Sequence, residues 1–240
     1  MKFTYAAYVE FVETLLANGY VLRHLDQPDR MPPPSEAWVM LRHDVDMSLG
    51  PAVEMARREA AHGISTDYYI LTTSPFYNPL SGEGRRAIQD IVALGHRVGL
   101  HFDATVYPDR DLDGLNEACR REVDLVGDVA GTEPVGVSFH RPIPELIGSG
   151  PEITAPWPHT YAPFFVRETE YCTDSTGRWR YGPPDERDAV RAGNALHLVT
   201  HPIWWAEDEQ TAERRLGTFL AAEAARRREA VAAELAVVPE

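Results

Sequence analysis

Of 240 residues, 44% are hydrophobic, 25% charged and 10% aromatic, which suits one globular domain with a sizeable core. A formal net charge of −14 excludes the basic footprint that phosphate backbones require, so no nucleic-acid partner is expected. No apolar run is long enough for a membrane span, no secretory leader is recognised, and only Cys119 and Cys172 occur; these point to a cytoplasmic protein.

In chain order, Thr4 caps a helix that runs through Ala17 and is stopped by Gly19. After the connection Pro28–Pro34, the run Ala37–Arg42 reads as a buried strand. Ser48 opens the next helix, with Pro51 in its first turn and Gly63 beyond its end. Asp67–Leu71 is a strand, Arg85–Leu94 a helix and Arg97–His101 a strand. Leu112–Val129 is a helix, followed by a strand at Val135–Phe139. Short strands are expected at Tyr161–Val166, Tyr171–Thr173 and Ala195–Thr200, then a long helix over Glu207–Leu235. Both terminal helices carry apolar residues at helical spacing and read as packing elements. The alternation predicts an α/β fold of parallel βαβ units, in one sheet or a distorted barrel. Residues 1–240 form one domain, with an N-terminal helix and connection over 1–36 and a C-terminal helix over 206–240.

Polar residues gather just after the expected strands, where parallel α/β sheets converge their loops on one rim. The clusters are Arg42-His43-Asp44-Val45-Asp46, His101-Phe102-Asp103, His140-Arg141-Pro142, Asp174-Ser175 and Thr200-His201-Pro202. In extended backbone Asp44 and Asp46 face the same side. Two carboxylates in one pocket repel unless a cation neutralises them, and with imidazole they suit a divalent metal. Helix capping accounts for Asp46 or Ser48 but leaves His43 and Asp44 unexplained. His101, at a strand end, is the better ligand; His96, at a turn, reads as structural. Arg141 suits a cation that orients a carboxylate, and His201 a proton donor at neutral pH. Trp204 and Trp205 offer aromatic faces to a sugar ring or acyl group. His24, His62, His159 and His197 are given no role.

The ordered set RHDVD, GHRVGLH, HRP and HLVTH resembles the polysaccharide-deacetylase domain, carbohydrate esterase family four or the NodB-homology group, over roughly residues 38–205. That resemblance implies a distorted (β/α)7 barrel and a metal-dependent hydrolase removing an acyl, foremost an N-acetyl, group from a sugar or sugar-like metabolite. It implies Asp44 as general base tethered by Arg141, Asp46 and His101 as metal ligands, and His201 as general acid. Asp174, with Trp179 as its aromatic companion, would support that histidine. The implied cofactor is a divalent metal, zinc first, with cobalt, nickel, manganese or iron as alternatives. The family's second metal histidine would fall where this chain has Thr105; Asp103, His140 or His43 are the candidates to complete the set. Two competing readings stand beside this one. One is a carbohydrate-binding pseudoenzyme lacking that histidine; the other is a non-haem iron oxygenase using His101, Asp103 and His201.

Overall fold

The computed structural model describes residues 1–235, in which strands and helices alternate along the chain. Helix α1 (Tyr5–Ala17) is capped by Thr4, whose hydroxyl accepts from the Ala7 amide at 3.2 Å. Strands β1 (Val21–Arg23) and β2 (Trp38–Val45) follow, then α2 (Leu49–Ala61), β3 (Asp67–Ile70), α3 (Gly82–Ala93) and β4 (Arg97–Phe102). The second half contains α4 (Leu112–Ala130), β5 (Val137–Phe139), β6 (Glu170–Thr173), α5 (Asp188–Ala192), β7 (Leu196–Thr200) and α6 (Ala212–Leu235).

The strands form one sheet in the order β5-β4-β3-β2-β7-β6, with β1 beside the first half of β2, and each pairing is parallel. The sheet curls into a distorted barrel with helices outside it, the α/β architecture anticipated from the alternation. Beyond β5 the backbone adds one further rung: the Val137 amide donates to Pro158, and the Thr160 amide to Val137.

Alternation along β2 explains how eight consecutive residues can all be buried. Trp38 and Met40 point into the barrel and pack with Leu25, Tyr69, Phe165 and Ala195. Val39 and Leu41 point outward beneath α1, among Tyr8, Val12 and Leu15. A third cluster joins β3, β4 and β5 to α2, α3 and α4. Each fully buried aliphatic side chain contributes about 1.5–3 kcal/mol relative to exposure. Gly99 on β4 has a steric reason: a Cβ there would meet the Tyr69 ring at 2.8 Å and the Gly136 carbonyl at 2.6 Å.

Three local expectations are corrected. Tyr161–Val166 is not a strand; a π-type turn covers Phe164–Glu168, and the rung on β5 forms earlier, at His159. Pro163 has no N–H to donate to a ladder, while helical winding stacks Phe164 on Trp38 and buries Phe165. The last helix begins at Ala212 and not Glu207, because Thr211 accepts the Arg214 amide and caps the helix there. Helix α6 is also mostly exposed, with Phe219 its one buried side chain among the described residues. The C-terminal segment anticipated over 206–240 extends past the described residues at 236–240. No described helix is long and apolar enough to cross a membrane.

On the outer side of β2 lies a fully buried carboxylate, Glu59 of α2. It accepts from the hydroxyls of Tyr8, Tyr68 (2.6 Å) and Thr66 (2.9 Å), and sits 2.9 Å from His43 Nε2. Burial alone would raise its pKa, but His43 beside it holds it below the ordinary carboxylate value. Replacing Glu59 by alanine strands these donors in the core and should cost about 3–5 kcal/mol in urea unfolding. Because the folded pKa is lowered, the ionised form stabilises the fold above the ordinary pKa of about 4.3 and loses that effect as pH falls through the folded value. The gap between wild type and Glu59→Ala should therefore narrow below about pH 4. A gap that stays constant across that range contradicts a charged acceptor.

Candidate active site

The tips of β2, β4, β5, β6 and β7 surround a cavity of about 430 Å³, within the usual range for small-molecule sites. Asp44, Asp46, His101, His140, Arg141 and His201 all line it. Neither α1 nor α6 supplies a lining residue.

Three of these residues place one ligand atom each at a common point. Asp46 Oδ1 lies 3.1 Å from His101 Nε2 and 3.4 Å from His140 Nδ1, and the two nitrogens are 3.3 Å apart. Bonds of about 2.0–2.2 Å place neighbouring ligand atoms roughly 3.0 Å apart in an octahedron and roughly 3.3–3.6 Å apart in a tetrahedron. The triangle spans that interval. Asp46 Oδ1 is buried yet forms no hydrogen bond, although both nitrogens are near it. The three atoms lie close enough together for one divalent cation to fit among them. The two histidines hold the Asp46 carboxyl well below its usual range, against a burial effect that would raise it. The Ser74 hydroxyl donates to the Asp46 carbonyl at 2.8 Å and fixes the backbone here.

Of the three candidates to complete the ligand set, the structure brings only His140 to this point. His43 alternates to the outer face of β2, where Nδ1 is 2.6 Å from Thr200 Oγ1 and Nε2 faces Glu59. Asp103 is turned the other way: it accepts from the Thr105 amide (2.9 Å) and hydroxyl (2.6 Å) and pairs with Arg141 Nη2 at 2.5 Å. His101, Asp103 and His201 therefore do not assemble a facial triad. Thr105 is exposed in the turn after β4, away from the ligand triangle.

Asp44 lies at the cavity floor, 3.2 Å from Arg42 Nη1. The Ser138 hydroxyl is 3.5 Å from its other oxygen and also bonded by Arg42. The expectation that Arg141 tethers Asp44 is corrected: Arg141 is held by Asp103 and its side chain is 67% exposed. Arg42 does that work from inside the barrel, fully buried between the rings of Tyr69 and Tyr161. The signal was in the sequence, since residues 42 and 44 share a strand face as 44 and 46 do.

On the far side of the cavity, His201 Nδ1 lies 2.6 Å from Asp174 Oδ1, and Nε2 lies 3.8 Å from Asp46 Oδ2. Burial would lower the His201 pKa, but the Asp174 carboxylate overrides it and raises the value to about 9. Asp174 is itself fully buried and accepts from the His201 amide (3.0 Å) and from Trp205 Nε1 (2.9 Å). This corrects two aromatic assignments. Trp205 supports Asp174 and is buried, leaving Trp204 as the tryptophan that faces the cavity; Trp179 stacks on Phe3 in the core beneath α1.

No family model and no curated protein matches the chain. Among solved structures it is similar to the chitin deacetylase of the fungal pathogen Colletotrichum lindemuthianum, with 14% identity, a TM-score of 0.46, and coverage of 84% of this chain and 86% of that one. It is also similar to a family 4 carbohydrate esterase from Streptomyces lividans in complex with acetate (12% identity, TM-score 0.45, 78% and 89% covered). A third similar structure is a CE4 family pseudoenzyme from Bacillus anthracis (15% identity, TM-score 0.44, 82% and 66% covered), of which the match spans just under two thirds of the length.

The Asp174–His201 and Asp103–Arg141 pairs should differ sharply in their structural weight. Asp174→Ala leaves the Trp205 indole, the His201 amide and the His201 ring without an acceptor, and should cost about 3–5 kcal/mol in urea unfolding. Arg141→Ala removes a mostly exposed partner and should cost less than about 1 kcal/mol. Equal losses for the two variants contradict this assignment.

Proposed function

We propose that this chain is a divergent hydrolase of the polysaccharide-deacetylase type, removing an acyl group, foremost N-acetyl, from a sugar or sugar-like metabolite. The observation that carries the reading is the Asp46–His101–His140 triangle opening onto a cavity that also holds Asp44 and His201. Asp46, His101 and His140 are assigned to hold a divalent metal, zinc first, with cobalt, nickel, manganese or iron as alternatives. Such an ion supplies Lewis acidity to a carbonyl and lowers the pKa of water near it. The motif order of the sequence, from RHDVD to HLVTH, supports the same reading.

The chain's own residues account for the proton movements. Asp44, oriented by Arg42 and Ser138, accepts the proton of the attacking water as its oxygen bonds to the amide carbon. His201, kept protonated and oriented by Asp174, donates from Nε2 to the nitrogen as the C–N bond breaks. The sugar's amine and the acyl group's carboxylate leave as products, and the proton taken by Asp44 returns to His201 to reset the pair. Trp204 and Tyr161 line the cavity as apolar faces for a sugar ring. The cavity's size favours a small substrate, and two buried, unpaired cysteines fit a reducing cytoplasm.

Metal analysis with acetate release from N-acetylated amino sugars tests the proposal. Wild type should carry near-stoichiometric zinc after loading, and His140→Ala, His101→Ala and Asp46→Ala should each lose most of it. Asp44→Asn should keep the metal and reduce turnover by roughly 10²–10⁴-fold, since an amide cannot take the water's proton. Wild type that binds no metal, or binds it equally well without His140, contradicts the ligand set. Metal without turnover of any acyl sugar, amide or ester makes the chain a binding pseudoenzyme.

A further inference from the structure

The loop after β6 lines a stretch of the cavity wall that the acyl-transfer chemistry does not use. The metal-ligand triangle comes from the tips of β2, β4 and β5, whereas the loop after β6, at the other end of the sheet order, contributes Ser175, Thr176 and Arg180 to the lining. Two guanidinium groups line the cavity, Arg141 and Arg180. Arg141 is taken by Asp103, and the buried Arg42 below them by Asp44. Arg180 is exposed at the cavity wall, and its guanidinium has no carboxylate within ion-pair distance among the described residues; that group lies 5.6 Å from the centroid of the Tyr181 ring.

The loop that presents these groups is anchored at its start. It begins at Asp174, which the His201 and Trp205 contacts anchor in the core. Thr176 is held at φ 64°, a left-handed conformation that a β-branched residue rarely adopts. Gly177 follows at φ 72°, where a Cβ would meet the Trp204 ring at 3.1 Å and Ala212 at 2.8 Å. The Ser175 hydroxyl is steadied by Thr173 Oγ1 at 2.9 Å.

We infer that this part of the cavity wall is an anion subsite, in which Arg180 with the Ser175 and Thr176 hydroxyls binds a carboxylate or phosphate of the substrate. An unpaired guanidinium offers two parallel N–H donors matched to either group, and flanking hydroxyls can satisfy a further oxygen. The substrate is then an acylated amino sugar, or a like metabolite, with a negative charge away from its amide. The inference rests on the proposed hydrolase reading for the other end of the substrate.

The test compares three probes on the zinc-loaded protein: N-acetylglucosamine, its 6-phosphate and N-acetylmuramic acid, measured for acetate release and by calorimetry. Wild type should prefer at least one anionic probe over the neutral one at least tenfold in kcat/KM, and the preferred probe separates phosphate from carboxylate. Arg180→Ala should reduce that ratio at least tenfold, and Arg180→Lys should restore part of it. An anion held by the metal alone would leave the ratio insensitive to residue 180. Acetate release with no anionic preference, or with a preference unchanged by Arg180→Ala, overturns the subsite while the hydrolase reading stands. If no probe releases acetate, the deacetylase reading fails and calorimetry decides the subsite. Tighter anionic binding that Arg180→Ala removes supports it; equal binding or none overturns it.

Discussion

The two-residue period of β2 is the constraint on which the site depends. Residues 42 and 44 face the barrel interior and residue 43 faces the helices, so one strand serves two polar environments. Inside, a buried guanidinium is tolerable because Asp44 meets it at 3.2 Å, and that pairing fixes the carboxylate at the cavity floor. One more step of the same period carries Asp46 past the strand end into the ligand triangle. Its position is then set by Ser74 on its own carbonyl and by Tyr77, whose hydroxyl donates to the Val45 carbonyl at 2.7 Å. A slip of one residue in the β2 register would exchange the two faces and dismantle all three groups.

Two buried carboxylates that touch no substrate hold this arrangement from outside the cavity. Glu59 braces His43 and thereby the outer face of β2, with two tyrosines and a threonine completing its hydrogen bonds. Asp174 does the same for the loop after β7, gathering the His201 ring, the His201 amide and the Trp205 indole. Buried acids of this kind are costly unless every acceptor is used, and here each serves several donors. The rigidity they impart lets short loops place Asp46, His101, His140 and His201 within a few ångströms of each other.

Much of this was legible in the sequence, because parallel strands end in loops on one rim and the polar clusters mark those ends. The alternation of elements gave the architecture, and the clusters named the residues lining the cavity. What failed was partner choice, a matter of side-chain direction in three dimensions. Motif order pairs Arg141 with Asp44, yet β4 and β5 lie side by side and bring Arg141 onto Asp103. His140 joins Asp46 and His101 from a neighbouring strand as a group that could hold a metal, which spacing within the β4 segment could not show. Trp179 and Trp205 are equivalent by composition; only the fold decides which indole reaches Asp174. The strand expected at Tyr161–Val166 yielded to Pro163 and to the aromatic packing of the next two residues.

The central claim is that Asp46, His101 and His140 form one divalent-metal centre. Anomalous diffraction at the zinc edge, on crystals of the zinc-loaded protein, tests it most directly. The account predicts a single strong peak about 2.0–2.2 Å from Asp46 Oδ1, His101 Nε2 and His140 Nδ1. A peak coordinated by Asp103, or none at the triangle despite zinc in the crystal, would contradict it.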